Sequence, residues 1–266
     1  MKILVLGDVM GKSGRKALKK NLSNIIEKNT INFAVINGEN ASDDGKGITK
    51  EIAEEFFHLG IDVITSGNHI WDKLETTNYI EKENRLLRPA NLVEGSPGKG
   101  FGIYLSKDKK FKIGVINLMG NVFMKKTDDV FKTAKEICKK IILKKNVDFS
   151  VIDFHGEITS EKMAIGHFFD GCSTCVVGTH THVPTADTRI LEKGTAYQTD
   201  IGMCGDYNSV IGMNKENSLK RFFKDKEATK HFPSEGDGTL SGLIVEGDPK
   251  TGLAKKVSRI ILGGIF

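Results

Sequence analysis

The chain has 266 residues, of which 39% are hydrophobic and 27% are charged, and its net charge is +5. These values are ordinary for a globular protein, and the mild positive charge gives only weak support to a nucleic-acid partner. No stretch approaches the ~18 consecutive apolar residues of a membrane helix, and the first apolar run, which ends at Asp8, is too short for a signal peptide. We therefore predict a cytoplasmic protein with no membrane partner.

The first third of the chain alternates between strand and helix patterns. Strands are predicted over residues 2–6, 33–37 and 62–65, and helices over residues 12–28 and 48–59. Further strands are predicted over residues 102–105, 112–118, 149–154, 175–178, 188–191, 196–199, 239–246 and 255–262, and further helices over residues 128–145 and 160–169. This order predicts an α/β fold with two sheets and flanking helices, and a single domain over residues 1–266.

The glycine-rich turn after the first strand resembles a nucleotide-binding loop only superficially. In "GDVMGKS" three residues separate the two glycines, whereas a Walker loop has four. The dinucleotide pattern G-x-G-x-x-G also fails, because Gly7, Gly11 and Gly14 are four and three positions apart. The turn instead places a carboxylate, Asp8, at the carboxyl end of a strand, where ligand sites form in open α/β sheets.

Five predicted strands end in short runs of residues that are able to bind metal. These residues are Asp8, Glu39 with Asn40, Asn68 with His69, His155, and His180 with His182. Because the carboxyl ends of neighbouring strands meet at one edge of a sheet, the runs predict one shared site. Imidazoles and carboxylates suit zinc, iron or manganese. The remaining histidines, His58, His167 and His231, are predicted to be exposed or locally hydrogen-bonded.

Two details of this predicted site have structural consequences. Two divalent cations about 3.5–4 Å apart need a bridging anion, and the carboxylate of Glu39 suits that position. The side chains of His180 and His182 would share one face if the segment were extended. A turn would instead direct them at two adjacent ions.

The same residues resemble the calcineurin-like metallophosphoesterases. In that superfamily the first motif is usually D-x-H and the bridging residue is usually Asp, whereas this chain has Met10 and Glu39 at those positions. Both departures match the narrower group of YmdB-like bacterial phosphodiesterases. The chain resembles that group over nearly its whole length, in "GDVMGKSGR", "NGENAS", "SGNHIWD", "RPAN", "DFHGEITSEK" and "VGTHTHVPTADTRILEKGTAYQTDIGMCG".

The resemblance implies a four-layer metallophosphoesterase sandwich in which two β-sheets are flanked by helices. It also implies two divalent or trivalent metal ions, most readily iron, with manganese and zinc as alternatives. By motif position, the first ion would bind Asp8, Glu39, Asn40 and His182, with Asn40 replacing the missing histidine. The second ion would bind Glu39, Asn68, His155 and His180.

The resemblance further implies hydrolysis of phosphodiesters, with 2′,3′-cyclic nucleotides converted to 3′-nucleotides. Our hypothesis is that a hydroxide bridging the two ions attacks phosphorus and that His69 acts as general acid, an effect of about 10²–10⁴-fold. Asp72 is predicted to hydrogen-bond His69, for which metal binding or substrate orientation is the alternative role. Residues 119–124 and 207–213 are predicted to place the substrate.

Two other functions remain open at this point. A phosphomonoesterase or 5′-nucleotidase would use the same metal centre on a different substrate. A regulatory protein would bind nucleotide through its metals with negligible turnover. A link to RNA turnover and a homo-oligomeric state are further expectations from the resemblance.

Overall fold

Two six-stranded sheets form the centre of the protein in the computed structural model, which describes residues 1–264. The first sheet contains β1 (Lys2–Val9), β2 (Phe33–Asn37), β3 (Val63–Thr65), β10 (Met203–Cys204), β11 (Thr239–Gly247) and β12 (Ala254–Gly263). The second sheet contains β4 (Phe101–Leu105), β5 (Lys112–Met119), β6 (Phe149–His155), β7 (Cys175–Thr179), β8 (Arg189–Ile190) and β9 (Ala196–Gln198).

Helices cover the outer faces of both sheets. They are α1 (Gly11–Asn29), α2 (Lys50–His58), α3 (Leu74–Ile80), α4 (Val130–Cys138), α5 (Thr159–Phe168) and α6 (Lys215–Phe222). Buried side chains of α1 and α2 pack on the first sheet, and those of α4 and α5 pack on the second. None of the helices within residues 1–264 is long and apolar enough to cross a lipid bilayer.

The side chains of β1 show how the layers are built. Leu4 and Leu6 belong to the core beneath α1 and α2, whereas Ile3 and Val5 belong to a core shared with the second sheet. This alternation follows from the two-residue period of a strand, and it shows that both faces of β1 are buried. The predicted four-layer arrangement of two sheets flanked by helices is therefore confirmed. That residues 1–266 form one domain stays a prediction, and its last two residues lie outside the described part.

Parallel pairing brings the strand ends together at one edge. β1, β2 and β3 are parallel neighbours, as are β5, β6 and β7. The register pairs Asp8 with Asn37 in the first sheet, and it pairs His155 with Thr179 in the second. The carboxyl ends of strands from both sheets therefore lie around one common region, which contains Asp8 and His155.

Several elements differ from the sequence-based prediction. Two helices and one strand were not predicted: α3, α6 and β10. The exposed side chains of α6 include Leu219 and Phe222, so the helix lacks the apolar stripe that marks a helix packed on a core. The helix predicted over residues 128–145 ends at Cys138, and Asn146 caps the turns that follow it by accepting a hydrogen bond from the Ile142 N–H.

Candidate metal centre

The Nε2 atom of His155, at the end of β6, is the point on which one group of predicted ligands converges. It lies 2.9 Å from Glu39 Oε1, 3.2 Å from Asn68 Oδ1 and 3.0 Å from His180 Nδ1. One N–H cannot satisfy three acceptors at once, so acceptor atoms are left without a donor here. Donor atoms that bind one cation at about 2.0–2.2 Å lie about 3–3.5 Å apart, which is the spacing found here.

A second group of predicted ligands meets at His182. Its Nδ1 lies 2.8 Å from the carbonyl oxygen of Ile211, an acceptor, so the ring proton lies on Nδ1 and Nε2 has the lone pair. Nε2 lies 3.2 Å from Asn40 Oδ1, whose amide is oriented by the bond from its Nδ2 to the Gly45 carbonyl, 2.9 Å away. Two acceptors therefore face each other, an arrangement that a cation between them would stabilise.

Asp8 lies between the two groups and is completely buried. Its Oδ2 accepts the His180 N–H at 3.1 Å, and its Oδ1 lies 3.6 Å from His155 Nδ1. Among residues 1–264, Oδ1 finds no hydrogen-bond partner. Burial raises the pKa of Asp8 to about 6, although the nearby His182 and His155 oppose that rise. An unpartnered carboxylate oxygen in this position fits a metal ligand, because a buried anion is costly unless it is paired or coordinates a metal.

The electrostatics of the first group also fit a cation. Burial alone would raise the pKa of Glu39, but the charge and hydrogen bond of His155 lower it well below its usual value. Burial would likewise lower the pKa of His155, and Glu39 raises it to about 9. Burial and the positive charge of His155 lower the pKa of His180 to about 3. At neutral pH the three side chains thus carry one negative charge, on Glu39, and one positive charge, on His155.

The segment that carries His180 and His182 is a turn rather than an extended strand. The backbone φ angles are 97° at His180 and 66° at His182, in the left-handed region that residues with a Cβ rarely adopt. The ring of His180 consequently faces His155, whereas that of His182 faces Asn40. Of the two conformations considered for this segment, the structure has the one that directs the rings to different places.

His69 lies beside the centre, and its ring contacts Asp72. Its backbone N–H donates to Glu39 Oε2 at 3.2 Å, while its ring Nδ1 lies 2.7 Å from Asp72 Oδ2. The predicted contact with Asp72 is therefore present. The ring remains partly exposed, with a side-chain accessibility of 25%. Lys125 closes this side by donating to the Asn68 carbonyl at 2.6 Å.

All of the predicted ligands thus lie in one connected group, while the other three histidines lie on the surface. His58, His167 and His231 are exposed, as expected. A groove of about 870 Å³ between β4 and α4 contains none of the predicted ligands and is lined by residues such as Arg88, Phe101 and Lys132. This groove and the predicted ligands therefore lie in different parts of the protein.

The sequence analysis missed a set of buried side chains beneath the ligands. Asp153 accepts hydrogen bonds from Asn37 at 2.9 Å and from Thr179 at 2.7 Å, and it also accepts one from Thr65. Thr179 Oγ1, which donates to Asp153, lies 3.0 Å from His155 Nδ1 and so accepts its proton. The chain of bonds orients the ring and leaves Nε2 for a ligand. A sequence signal existed, because Asp153 lies two residues before His155 and hence on the same face of a buried strand.

A comparison with known protein families agrees with this arrangement. A profile of the family described as "YmdB-like protein" matches residues 4–260. A curated Bacillus subtilis protein named 2′,3′-cyclic-nucleotide 2′-phosphodiesterase is 44% identical over 262 residues, which cover 98% of this chain and 97% of that protein. The resemblance proposed from the motifs is therefore confirmed.

Solved structures support the same assignment. The crystal structure of a phosphatase from Mycoplasma pneumoniae is 38% identical and superposes with a TM-score of 0.89, covering 99% of this chain and 93% of that one. A 5′-nucleotidase from Candida albicans shares the fold alone, with 11% identity and a TM-score of 0.57 over 98% of this chain and 51% of that one. By its profile match, its identity to the Bacillus relative and its superposition on the Mycoplasma structure, the chain belongs to the YmdB-like family.

Proposed function

We propose that this protein is a metal-dependent phosphodiesterase that converts 2′,3′-cyclic nucleotides to 3′-nucleotides. The name of the Bacillus subtilis relative supports the substrate, since the two proteins align over nearly their full lengths. At the coarser level the chain is a hydrolase of phosphate esters, like its relatives. The observation that carries the proposal is the meeting of Glu39, His155 and His180, whose ligand atoms all lie within 4.8 Å of one another.

Two groups of residues would hold the ions. Asp8, Glu39, Asn40 and His182 would bind one ion, and Glu39, Asn68, His155 and His180 would bind the other. Oxygen and imidazole ligands of this kind suit iron and manganese, and also zinc. When bound, a pair of such ions lowers the pKa of a water molecule and neutralises charge on the phosphoryl oxygens. The unpartnered Asp8 Oδ1 and the opposed lone pairs of Asn40 and His182 support this assignment.

His69 would supply the proton for the leaving group. Water adds to phosphorus and loses a proton to solvent, the bond from phosphorus to the ribose 2′-oxygen breaks, and that oxygen takes a proton from His69 Nε2. His69 then regains a proton from solvent. Asp72, 2.7 Å from Nδ1, accepts the Nδ1 proton and fixes the orientation of the ring, which carries a second proton on Nε2 when it acts as the acid. The partial exposure of His69 supports an acid that contacts substrate rather than a buried ligand.

Exposed apolar side chains near the centre would hold the nucleoside. Ile211, whose carbonyl faces His182, is 53% exposed, and Val183, the next residue after His182, is 58% exposed. Phe123 is 86% exposed and lies two residues from Lys125, which contacts Asn68. Phe123 and Ile211 fall in the two segments predicted to place the substrate, whereas Val183 lies outside both. Large apolar side chains beside a polar centre can pack against the flat face of a nucleobase.

The decisive experiment combines metal content with product identity. Protein stripped with a chelator and reloaded with Mn²⁺ is expected to hydrolyse 2′,3′-cyclic AMP and to release 3′-AMP, with no activity before reloading. Faster hydrolysis of 3′-AMP or 5′-AMP than of the cyclic diester would favour the phosphomonoesterase; the Mycoplasma pneumoniae structure is described as that of a phosphatase. Tight nucleotide binding with no turnover in the reloaded protein would favour the regulatory function. A cytoplasmic location, a role in RNA turnover and a homo-oligomeric state are separate expectations.

A further inference from the structure

A buried ion pair lies directly behind the turn that carries two of the proposed ligands. Lys162 on α5 and Asp200, which follows β9, are each 1% exposed, and Lys162 Nζ lies 2.6 Å from Asp200 Oδ2. The hydrocarbon part of Lys162 crosses Gly178, where a Cβ would lie 3.0 Å from Lys162 Cδ and 1.8 Å from the Thr199 carbonyl oxygen. The backbone therefore approaches here too closely for any residue except glycine at 178.

The same carboxylate also holds Thr181, the residue between His180 and His182. Asp200 Oδ2 accepts the Thr181 N–H at 3.1 Å and the Thr181 hydroxyl at 2.7 Å. Its other oxygen accepts the Gly202 N–H at 2.8 Å. Asp200 is thus fully bonded, and two of its contacts are made to a single residue of the turn.

This arrangement explains how the turn keeps its unfavourable backbone. His180 and His182 both have positive φ angles, which cost free energy and persist only where the surroundings determine them. The two hydrogen bonds from Thr181 to Asp200 hold the middle of the turn in this conformation. The ammonium of Lys162 offsets the cost of burying the carboxylate that makes those bonds, because a buried charge is tolerated when it is paired and fully hydrogen-bonded.

We propose that Lys162 and Asp200 are positioning residues that act through Thr181 to set the ligand geometry of His180 and His182. The inference rests on the proposed ligand role of these two histidines. Lys162 is too deeply buried to contact substrate, and its ammonium bonds to Asp200. If the Lys162–Asp200 pair served stability alone, Asp200 would not need to bond Thr181, the residue between the proposed ligands His180 and His182. The expected consequence of breaking the contact is therefore a loss of metal affinity.

The test compares two substitutions at one position. Thr181→Val removes the hydroxyl at nearly constant volume, and Thr181→Ser keeps it. Mn²⁺ binding to the chelator-stripped protein, measured by calorimetry, is expected to weaken about 10- to 100-fold in Thr181→Val, which is typical for loss of a contact that orients a ligand. The serine variant is expected to bind like the unaltered protein, and most of kcat is expected to return to the valine variant at saturating Mn²⁺. Equal Mn²⁺ affinity in the two variants would overturn the inference.

Two further variants separate this inference from the proposed function. Lys162→Met is expected to weaken Mn²⁺ binding at least as much as Thr181→Val. The control is Lys107→Met, which breaks a 2.6 Å ion pair with Asp62, the residue before the amino end of β3 and away from the proposed ligands. It is expected to leave Mn²⁺ binding unchanged. If Lys162→Met does not fold, the two Thr181 variants decide alone. Unchanged Mn²⁺ affinity in His180→Asn would overturn the ligand assignment and the inference together. Loss of affinity in His180→Asn but not in Thr181→Val would overturn the inference only.

Discussion

His155 Nε2 and His180 Nδ1 lie 3.0 Å apart, with their rings inclined at 71°. Two imidazole nitrogens at this distance cannot both present lone pairs, so a proton or a cation must lie between them. Glu39, 2.9 Å from the same His155 nitrogen, supplies the negative charge that stabilises either one. A metal ion bound here as proposed would therefore take the place of that proton.

Metal binding is therefore expected to release a proton. Burial would lower the pKa of His155, but Glu39 raises it to about 9, so the ring is protonated at neutral pH once the metal has been removed. Because the ion must displace that proton, Mn²⁺ affinity should rise about tenfold per pH unit as the pH increases from 7 towards 9. Calorimetry in two buffers with different heats of ionisation measures the number of protons released. A Mn²⁺ affinity that does not change over this pH range would contradict the prediction.

Asp8 is expected to lower the stability of the protein when no metal is bound. Its pKa of about 6 lies above the ordinary value of 3.8, so the folded state binds the extra proton and loses stability as the pH rises from about 4 to 6. At pH 7.5 this difference amounts to about 3 kcal/mol in the free energy of unfolding. Asp8→Asn should therefore be more stable than the unaltered protein in urea with a chelator present, and should gain little from Mn²⁺.

The matched control for Asp8 is Asp206, a buried carboxylate whose hydrogen bonds are satisfied. It accepts bonds from Asn208, Ser234 and Gly236. Asp206→Asn is expected to lower the free energy of unfolding by about 1–3 kcal/mol under the same conditions, because it leaves polar groups without a good partner. If Asp8→Asn were also destabilised in the chelator, Asp8 would not be the strained group that its orphaned oxygen indicates.

The proposed metal ligands could be picked out from the sequence because of where parallel strands end. Asp8 and His155 lie at the carboxyl ends of buried apolar strands and Glu39 closely follows another, and the carboxyl ends of parallel strands share one edge. Residues at the carboxyl ends of these strands therefore lie close together in the folded protein. No precise packing had to be known to expect these side chains in one place.

The residues that support the ligands were not predictable in this way. Asn37 and Asp153 are 116 positions apart and meet only because the two sheets pack face to face. Threonines such as Thr179 and Thr181 are common in strands and turns, and nothing in their spacing marks them as partners of a histidine or a buried carboxylate. Their roles follow from the way the two sheets pack, which local patterns do not encode.

Phe123 is expected to bind the nucleobase. It lies in a loop between β5 and α4, has a positive φ of 60° and is 86% exposed, which is unusual for a large apolar side chain. Stacking on a base is worth about 1–3 kcal/mol, so Phe123→Ala should raise KM for 2′,3′-cyclic AMP about 5- to 100-fold with little change in kcat. Phe222→Ala on α6, where the side chain is 78% exposed, is the control and should leave KM unchanged. An equal rise in KM for a base-free ribose cyclic phosphate would argue against stacking.

The role of His69 can be separated from metal binding by the choice of leaving group. Its contact with Glu39 is made by the backbone N–H, so His69→Asn should keep both metals. The ribose 2′-oxygen needs a proton to leave, and kcat for 2′,3′-cyclic AMP should therefore fall about 10²–10⁴-fold. Bis-p-nitrophenyl phosphate releases a stable phenolate, so its hydrolysis should slow by less than about tenfold, since an acid contributes little to such a step.

Two controls complete the test of His69. His58→Asn changes an exposed histidine on α2 that bonds only the Glu54 carbonyl at 2.7 Å among the described contacts, and it should alter neither rate. Asp72→Asn should give a smaller loss than His69→Asn on the cyclic nucleotide, because the ring remains but loses the partner that orients it. Metal content is measured for every variant. If His69→Asn slowed both substrates equally, the proton would have to come from another group, and loss of metal in that variant would make His69 a ligand instead.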